Sequence, residues 1–262
     1  MLSGEGQGAA PAKSCRRQGP IDWSSLASWG VHLYTALGAV LGLAALLFAA
    51  DYRARAAFMT LTLATVIDST DGFAARALSV DRRLAYFDGV LLDNVVDYLG
   101  YVAAPVFLML RLGLLPAGWV GLAVGGLVMV ASAYGFCRRD AKTADYYFRG
   151  FPSYWNVVAL YMFCFRQEAS VNALAATLLA VMEFLPLKFI YPSRTVPLRR
   201  LTLFLGSVWA VLIFLLVVEL PSPRPAFVYG SLGFVIYYFL ASFALQVRSY
   251  LVRSRITTSV PS

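Results

Sequence analysis

Long apolar runs separated by short polar segments are the feature that most limits what this 262-residue chain can fold into. Hydrophobic residues make up 60% of the sequence and charged residues only 14%, against roughly 25% charged in an average soluble domain. A helix needs about 20 apolar residues to cross a bilayer. The runs that approach this length span residues 31–50, 54–75, 89–110, 114–136, 153–166, 169–190, 198–219 and 226–247. They predict an all-α, polytopic membrane helix bundle with about eight transmembrane helices, because a lipid-exposed backbone must satisfy its own hydrogen bonds.

Lysine and arginine are unevenly distributed between the two ends of this predicted bundle. If the N-terminus is cytoplasmic, most of the 22 Lys and Arg residues fall on the inner segments, as the positive-inside rule requires. The exceptions on the outer segments are Arg53, Arg55, Arg111, Arg166 and Arg224. The bias predicts cytoplasmic N- and C-termini. Topology and anionic lipid headgroups account for the net charge of +8, so nucleic acid is not an expected partner.

The segments outside the runs are short. Residues 1–20, rich in Gly, Ala and basic residues, are predicted to be a flexible N-terminal tail. Residues 21–30 form either a short interfacial helix or the beginning of the first span. The membrane domain is predicted over 31–250 and a C-terminal tail over 251–262. The three cysteines have no CxxC spacing and suggest neither a zinc site nor a disulfide framework.

Four aspartates stand out, because an ionisable group inside a membrane span is costly and indicates function. Asp68 and Asp71 lie near the cytoplasmic end of the second run, and Asp93 and Asp97 near the start of the third. At helical spacing each pair shares one face, and two antiparallel helices would bring the faces together. Divalent cations would relieve the resulting repulsion, and oxygen-only ligands suit Mg²⁺ or Mn²⁺ better than zinc. The alternative is that the four aspartates are residues at the ends of loops, hydrated at the membrane interface.

Small residues accompany the acids on both predicted stripes. Gly72 and Ala75 share the stripe of Asp68, and Gly89 begins the stripe of the second pair. They leave room for a flat nucleotide to approach the helices. Arg76, at the edge of the first stripe, is a candidate partner for phosphate.

The pattern Asp68-x2-Asp71-Gly72-x2-Ala75-Arg76, followed by Gly89-x3-Asp93-x3-Asp97, resembles the signature of the CDP-alcohol phosphotransferases. The resemblance covers roughly residues 25–250. The spacer 77–88 has twelve residues where the family usually has eight, and in this it is similar to the bacterial branch that makes phosphatidylcholine. Two later stretches, 150–156 and 188–192, are similar to that branch as well. The longer spacer predicts about one added helical turn between the two stripes.

The resemblance implies a membrane transferase that moves the phosphatidyl group of CDP-diacylglycerol to choline and releases CMP. It implies two divalent cations, Mn²⁺ or Mg²⁺, held by the four aspartates, with Asp93 and Asp97 as the catalytic pair and Asp97 taking the proton of the acceptor hydroxyl. The expected location is the bacterial inner membrane, with the site facing the cytoplasm, in a homodimer. The residues implied to bind the CDP moiety are Asp68, Gly72, Ala75, Arg76 and Gly89.

The acceptor is predicted from the chemistry of choline, whose fixed positive charge is best received by aromatic faces and a carboxylate. Aromatic and polar side chains at the predicted cytoplasmic ends, with one acid in an apolar run, supply the candidates: Tyr86, Tyr154, Trp155, Asn156 and Glu183. Serine, inositol phosphate and glycerol phosphate remain alternative acceptors. A cation transporter is a further alternative, although transport predicts acids near mid-membrane in repeated halves.

Overall fold

The computed structural model describes residues 23–138, 140, 143, 147–191 and 198–258, with side chains described from residue 25 to residue 247. The predicted tail over 1–20 lies outside these ranges. The described chain is mainly helical, with one two-stranded sheet. Its elements are α1 (Trp23–Ala50), α2 (Ala54–Ala77), α3 (Val80–Arg83), α4 (Gly89–Asp97), a π-helical segment (Tyr98–Ala103), α5 (Ala104–Arg111), α6 (Trp119–Cys137), β1 (Tyr147–Arg149), α7 (Trp155–Phe165), α8 (Ala169–Met182), β2 (Lys188–Ile190), α9 (Arg199–Val218) and α10 (Pro225–Thr258).

Each predicted apolar run contains a helix, and the third run is a continuous stack of α4, the π-helical segment and α5. In the sixth run, 169–190, the helix ends at Met182 and the last residues form β2. Five segments of the described chain are long and apolar enough to cross a membrane: Ser25–Ala50, Gly89–Arg111, Trp119–Cys137, Arg199–Val218 and Pro225–Val247. α7 and α8 are apolar but shorter. Residues 23–30 are the first turns of α1, and α10 continues to Thr258, into the segment predicted as a tail.

The helices pack through small side chains. Ala45 and Ala49 of α1, Ala57 of α2 and Ala176 and Ala180 of α8 are all at most 1% exposed. Such residues allow backbones to approach closely, which is how helices associate when lipid removes the hydrophobic driving force. Many large apolar side chains, such as Leu33, Val40 and Phe204, lie on the outside of the bundle, where they face the surrounding phase.

The five arginines that depart from the charge bias lie at the end of the bundle opposite the aspartates, and each has a structural partner. Arg111 donates to the carbonyl of Ala50 at the end of α1, at 3.3 and 3.2 Å. Carbonyl groups at helix ends lack intrahelical partners, and arginine can satisfy them. The remaining four contact a carbonyl, a ring or a carboxylate: Arg55 with the Leu220 carbonyl, Arg166 with the Pro221 carbonyl, Arg53 with the Phe48 ring and Arg224 with Glu219.

A small two-stranded sheet covers the other end of the bundle. β1 and β2 pair antiparallel, with Phe148 opposite Phe189. Asp140 accepts hydrogen bonds from Arg138, at 2.9 and 3.0 Å, and from Arg149 of β1 at 2.6 Å. The Arg138 guanidinium, with Arg149 beside it, holds the pKa of the Asp140 carboxyl below its usual value. Asp140 is thereby attached both to the end of α6 and to β1.

A buried carboxylate connects three segments beneath this sheet. Glu183, 1% exposed, follows α8 and accepts hydrogen bonds from Ser153 and, at 3.4 Å, from Ser132 of α6. The hydroxyl of Ser132 also accepts a hydrogen bond from the Trp155 indole at 2.8 Å. Buried polar groups require such partners. The network fixes the turn from which α7 begins, and Gly135 of α6 lies directly against it.

We expect Gly135→Ala to destabilise the fold. An added Cβ would lie 2.5 Å from Glu183 Oε2, and moving the carboxylate would break the network around it. Overpacking of this kind costs about 1–3 kcal/mol, and the thermal unfolding midpoint in detergent measures it. Gly126→Ala is the matched control, because nothing lies within 4 Å of a Cβ at that position of α6. Equal midpoints for the two variants would contradict the expectation.

Candidate active site

The aspartate-bearing helices meet against α1. α1 packs on both α2 and α4, and two of its glycines permit the close contact. A Cβ at Gly38 would lie 2.6 Å from Val96, and one at Gly42 would lie 2.8 Å from Leu99. Any larger residue at these positions would push α4 and the π-helical segment away from α1. The spacer helix α3 supplies the added turn that the long spacer predicts.

All four aspartates line one pocket. Asp68, Asp71 and Asp93 each offer a carboxylate oxygen, and these three oxygens lie within 4.8 Å of one another. Asp71 is buried, and the other two are half-buried. Three hard oxygen ligands at this spacing fit a divalent cation such as Mg²⁺ or Mn²⁺. The cluster can therefore hold a metal ion, as the sequence predicts.

Two hydroxyl groups orient the carboxylates of this cluster. Thr35 of α1 donates to Asp71 Oδ2 at 2.7 Å. Tyr101 of the π-helical segment donates to Asp68 Oδ2 at 2.6 Å. Hydrogen bonds to metal-ligating carboxylates fix their orientation and tune the site. Both donors line the same pocket as the aspartates.

Asp97 lies one turn further along α4 than Asp93 and is not one of the three clustered ligands. Its carboxylate lines the pocket and interacts electrostatically with the phenols of Tyr101 and Tyr154. The rings of these two tyrosines are in an edge-to-face contact, with centroids 6.0 Å apart. Asp97 thus shares its aromatic neighbours with Asp68 but lies outside the group of three clustered ligands.

The residues predicted to bind CDP lie around the ends of α2 and α4. Arg76 is exposed, and its guanidinium lies over the Phe73 ring at 4.8 Å. A Cβ at Gly72 would be 3.2 Å from Arg76 Nη1, and one at Gly89 would be 2.7 Å from the His32 ring. Both glycines therefore allow close approach by a neighbouring side chain.

Ala75 differs from these glycines. It packs against the small apolar cluster of Val31, Val80 and Leu84, which fixes α3 on α1. In this structure its small side chain allows α2 to pack against the spacer.

The five residues predicted to bind the acceptor fall in three places. Tyr154 lies beside Asp97, and the Asn156 amide donates to Thr65, which lines the pocket, at 3.1 Å. Tyr86 is 78% exposed and its ring lies near Trp29. Trp155 and Glu183 belong to the buried serine network described above. Of the five, only Tyr154 and Asn156 contact residues that line the pocket, Tyr101 and Thr65 respectively.

Sequence reasoning missed the contribution of α1 and of the π-helical segment. A signal existed for each. Thr35 and Gly38 form, with His32 and Gly42, a run of small or polar residues at helical spacing on an otherwise apolar span. Tyr101 continues the stripe of the second aspartate pair by four more residues.

Comparison with known proteins agrees with this site. Residues 32–191, which include all four aspartates, match the CDP-alcohol phosphatidyltransferase family. The chain belongs to this family and is a phosphotransferase. Within the family it is similar to proteins named phosphatidylcholine synthase. The protein from Legionella pneumophila is 38% identical over 226 residues, which is 83% of this chain and 88% of the relative. The protein from Pseudomonas aeruginosa is 38% identical over 198 residues, which is 76% of this chain and 83% of the relative. The protein from Borreliella burgdorferi is 32% identical over 229 residues, which is 87% of this chain and 97% of the relative.

We expect Thr35→Val to weaken metal binding. The substitution keeps the shape of the side chain but removes the hydrogen bond to Asp71, and losses of this kind cost roughly tenfold or more in affinity. Titration of the purified protein with Mn²⁺, without substrates, measures the effect. Thr35→Ser should restore the affinity. Thr62→Val removes a hydroxyl that bonds only to the carbonyl of Phe58 within α2 and should bind Mn²⁺ like the unchanged protein; a similar loss there would point to a general effect on the fold.

Proposed function

We propose that this enzyme transfers the phosphatidyl group of CDP-diacylglycerol to choline and releases CMP. The observation that carries the proposal is the pocket itself, in which four aspartates lie next to Tyr101, whose ring contacts that of Tyr154. Relatives named phosphatidylcholine synthase that match most of the chain support the choice of reaction.

The aspartates would hold two divalent cations, Mn²⁺ or Mg²⁺. When bound, such ions neutralise charge on the diphosphate and on the departing CMP. Asp68, Asp71 and Asp93 supply the clustered ligands, and Asp97 shares in holding the second ion. Gly72 and Gly89 leave room for the nucleotide, with Ala75 behind them, and Arg76 pairs with phosphate at the rim of the pocket.

Asp97 is the proposed general base. Its carboxylate takes the proton from the acceptor hydroxyl as the oxygen attacks the β-phosphorus of CDP-diacylglycerol. A new P–O bond forms to choline, the bond from the β-phosphorus to the bridging oxygen breaks, and CMP leaves with that bond's electron pair. Asp93, one turn away, holds the adjacent ligand position and so fixes the distance between the base and the diphosphate.

Charge around the pocket favours a cationic acceptor. Of the described residues that line it, four are aspartates and none is Lys or Arg. Arg138 and Arg149, two of the described basic residues at this end of the bundle, are engaged by Asp140. The described lining would therefore offer a phosphorylated alcohol no positive side chain, whereas it offers a quaternary ammonium the Tyr101 ring, with the Tyr154 ring in contact behind it. Asn156 completes this wall by holding Thr65.

The proposed setting is the bacterial inner membrane, with eight spans, cytoplasmic termini and the pocket facing the cytoplasm. The position of the basic residues supports the orientation, and CDP-diacylglycerol is itself a membrane lipid. A homodimer is also proposed for this enzyme.

The acceptor is tested with purified protein, CDP-diacylglycerol and Mn²⁺ or Mg²⁺. Choline, serine, inositol phosphate and glycerol phosphate are supplied in turn, and released CMP is measured. We expect CMP with choline alone. Release only with a phosphorylated alcohol would overturn the choice of choline, and metal uptake into vesicles without CMP from any acceptor would favour transport.

Asp97→Asn should lower kcat by about 10²–10⁴-fold, the usual contribution of a general base, while binding of CDP, measured by calorimetry, is retained. The amide keeps the shape of the side chain but cannot accept the proton. Asp81→Asn is the matched control, because Asp81 lies exposed on α3 in the neighbouring spacer and should leave kcat unchanged. A kcat for Asp97→Asn close to that of the control would exclude the proposed base.

A further inference from the structure

We propose that Tyr101 is a positioning residue with two separable roles. Its hydroxyl orients Asp68 for metal binding, and its ring forms, with Tyr154, the wall that receives the quaternary ammonium group of the acceptor. The second role rests on the proposed function, and the first requires only the metal site.

The hydroxyl role follows from the short hydrogen bond of 2.6 Å between Tyr101 and Asp68 Oδ2. A bond of this length to a carboxylate is charge-assisted and strong. It restricts rotation of the Asp68 side chain and so directs the carboxylate toward Asp71 and Asp93, with which it clusters. On the other side of the cluster, Thr35 acts on Asp71 in the same way.

The ring role follows from what lies on each side of the phenol. Tyr101 is close to Asp68 and Asp97 and in edge-to-face contact with Tyr154, which is close to the same two acids. In choline the hydroxyl and the cation are joined by an ethylene link. An acceptor whose hydroxyl reaches Asp97 therefore has its ammonium group within reach of these rings. Aromatic faces attract such a cation without needing a hydrogen-bond donor on it.

The backbone places Tyr101 where both roles are possible. The residue lies inside the π-helical segment that follows Asp97 directly. A π-turn is wider than an α-turn and often occurs at functional sites. Here it changes the direction of the side chains after α4, and the Tyr101 ring reaches α2 on one side and the start of α7 on the other.

Two substitutions separate the roles. Tyr101→Phe keeps the ring and removes the hydroxyl, so Mn²⁺ binding in the absence of substrates, followed by electron paramagnetic resonance, should weaken about tenfold. The KM for choline at saturating Mn²⁺ should stay the same. Tyr101→Leu removes the ring as well and should raise the KM for choline about tenfold, with little change in the KM for CDP-diacylglycerol.

Tyr98→Phe is the matched control. Tyr98 lies in the same π-helical segment, but its hydroxyl donates to the Met129 carbonyl of α6 at 3.0 Å, away from the acids. Its loss should change neither Mn²⁺ affinity nor the KM for choline. If Tyr101→Leu does not fold, Tyr154→Leu removes the other ring and should raise the KM for choline alone.

Each role has its own contrary result. Unchanged Mn²⁺ affinity in Tyr101→Phe would overturn the hydroxyl role. Equal rises in both KM values for Tyr101→Leu would overturn the ring role. If the unchanged enzyme transfers only to an acceptor without a cation, the proposed function and the ring role both fail, whereas Mn²⁺ binding still decides the hydroxyl role independently.

Discussion

Repulsion among carboxylates is the constraint on which the rest of this structure depends. At a separation near 4.8 Å, two unit charges repel by on the order of 3 kcal/mol for an effective dielectric constant of about 20. A helix bundle that brings these acids together must hold them in place by contacts with neighbouring helices. It must also bind positive charge from solution. The glycines of α1 allow the helices to approach closely, and Thr35 and Tyr101 orient the carboxylates by hydrogen bonds. Divalent cations would supply the positive charge. The close helix contact, the hydroxyl donors and the cations therefore act together to hold the carboxylates near one another.

The charged side chains at the two ends of the bundle have different partners. At one end arginines satisfy helix-terminal carbonyls, as Arg111 does for α1, and their positive charge stabilises fixed backbone dipoles. At the other end the acids accept hydrogen bonds from neutral hydroxyls and keep their negative charge for cations. The arginines at the first end therefore stabilise the fold, whereas the acids at the second end form the candidate active site. This explains why a few arginines depart from the overall charge bias.

The sequence predicts the helical membrane fold and the aspartate cluster because both depend on local spacing. Apolar length specifies each helix, and the separation of Asp68 from Asp71 specifies a shared face. The parts contributed by tertiary contacts were not predicted. Thr35 lies 36 positions from its partner Asp71, and the small and polar residues on one face of α1 do not by themselves indicate which helix that face contacts.

The acceptor candidates illustrate the same limit. An isolated acid in an apolar run, Glu183, suggested a cavity, but its partners Ser132 and Ser153 come from distant segments and enclose it. Tyr154 and Tyr101 form a pair only because the start of α7 packs against the π-helical segment. Side-chain chemistry identified the right kind of residue, and the packing of helices decided which residues are used.

The paired phenols also bear on discrimination among amines. A primary ammonium carries N–H donors that must be satisfied when water is removed, whereas a quaternary ammonium carries none. In the proposed state the nearby carboxylates, which are the strongest acceptors for such donors, serve the metal ions. What the wall then offers an acceptor is chiefly aromatic surface. A site that leaves donors unpaired rejects the ligand that carries them, so binding of the carboxylates to metal ions would favour choline over an acceptor with a free amino group.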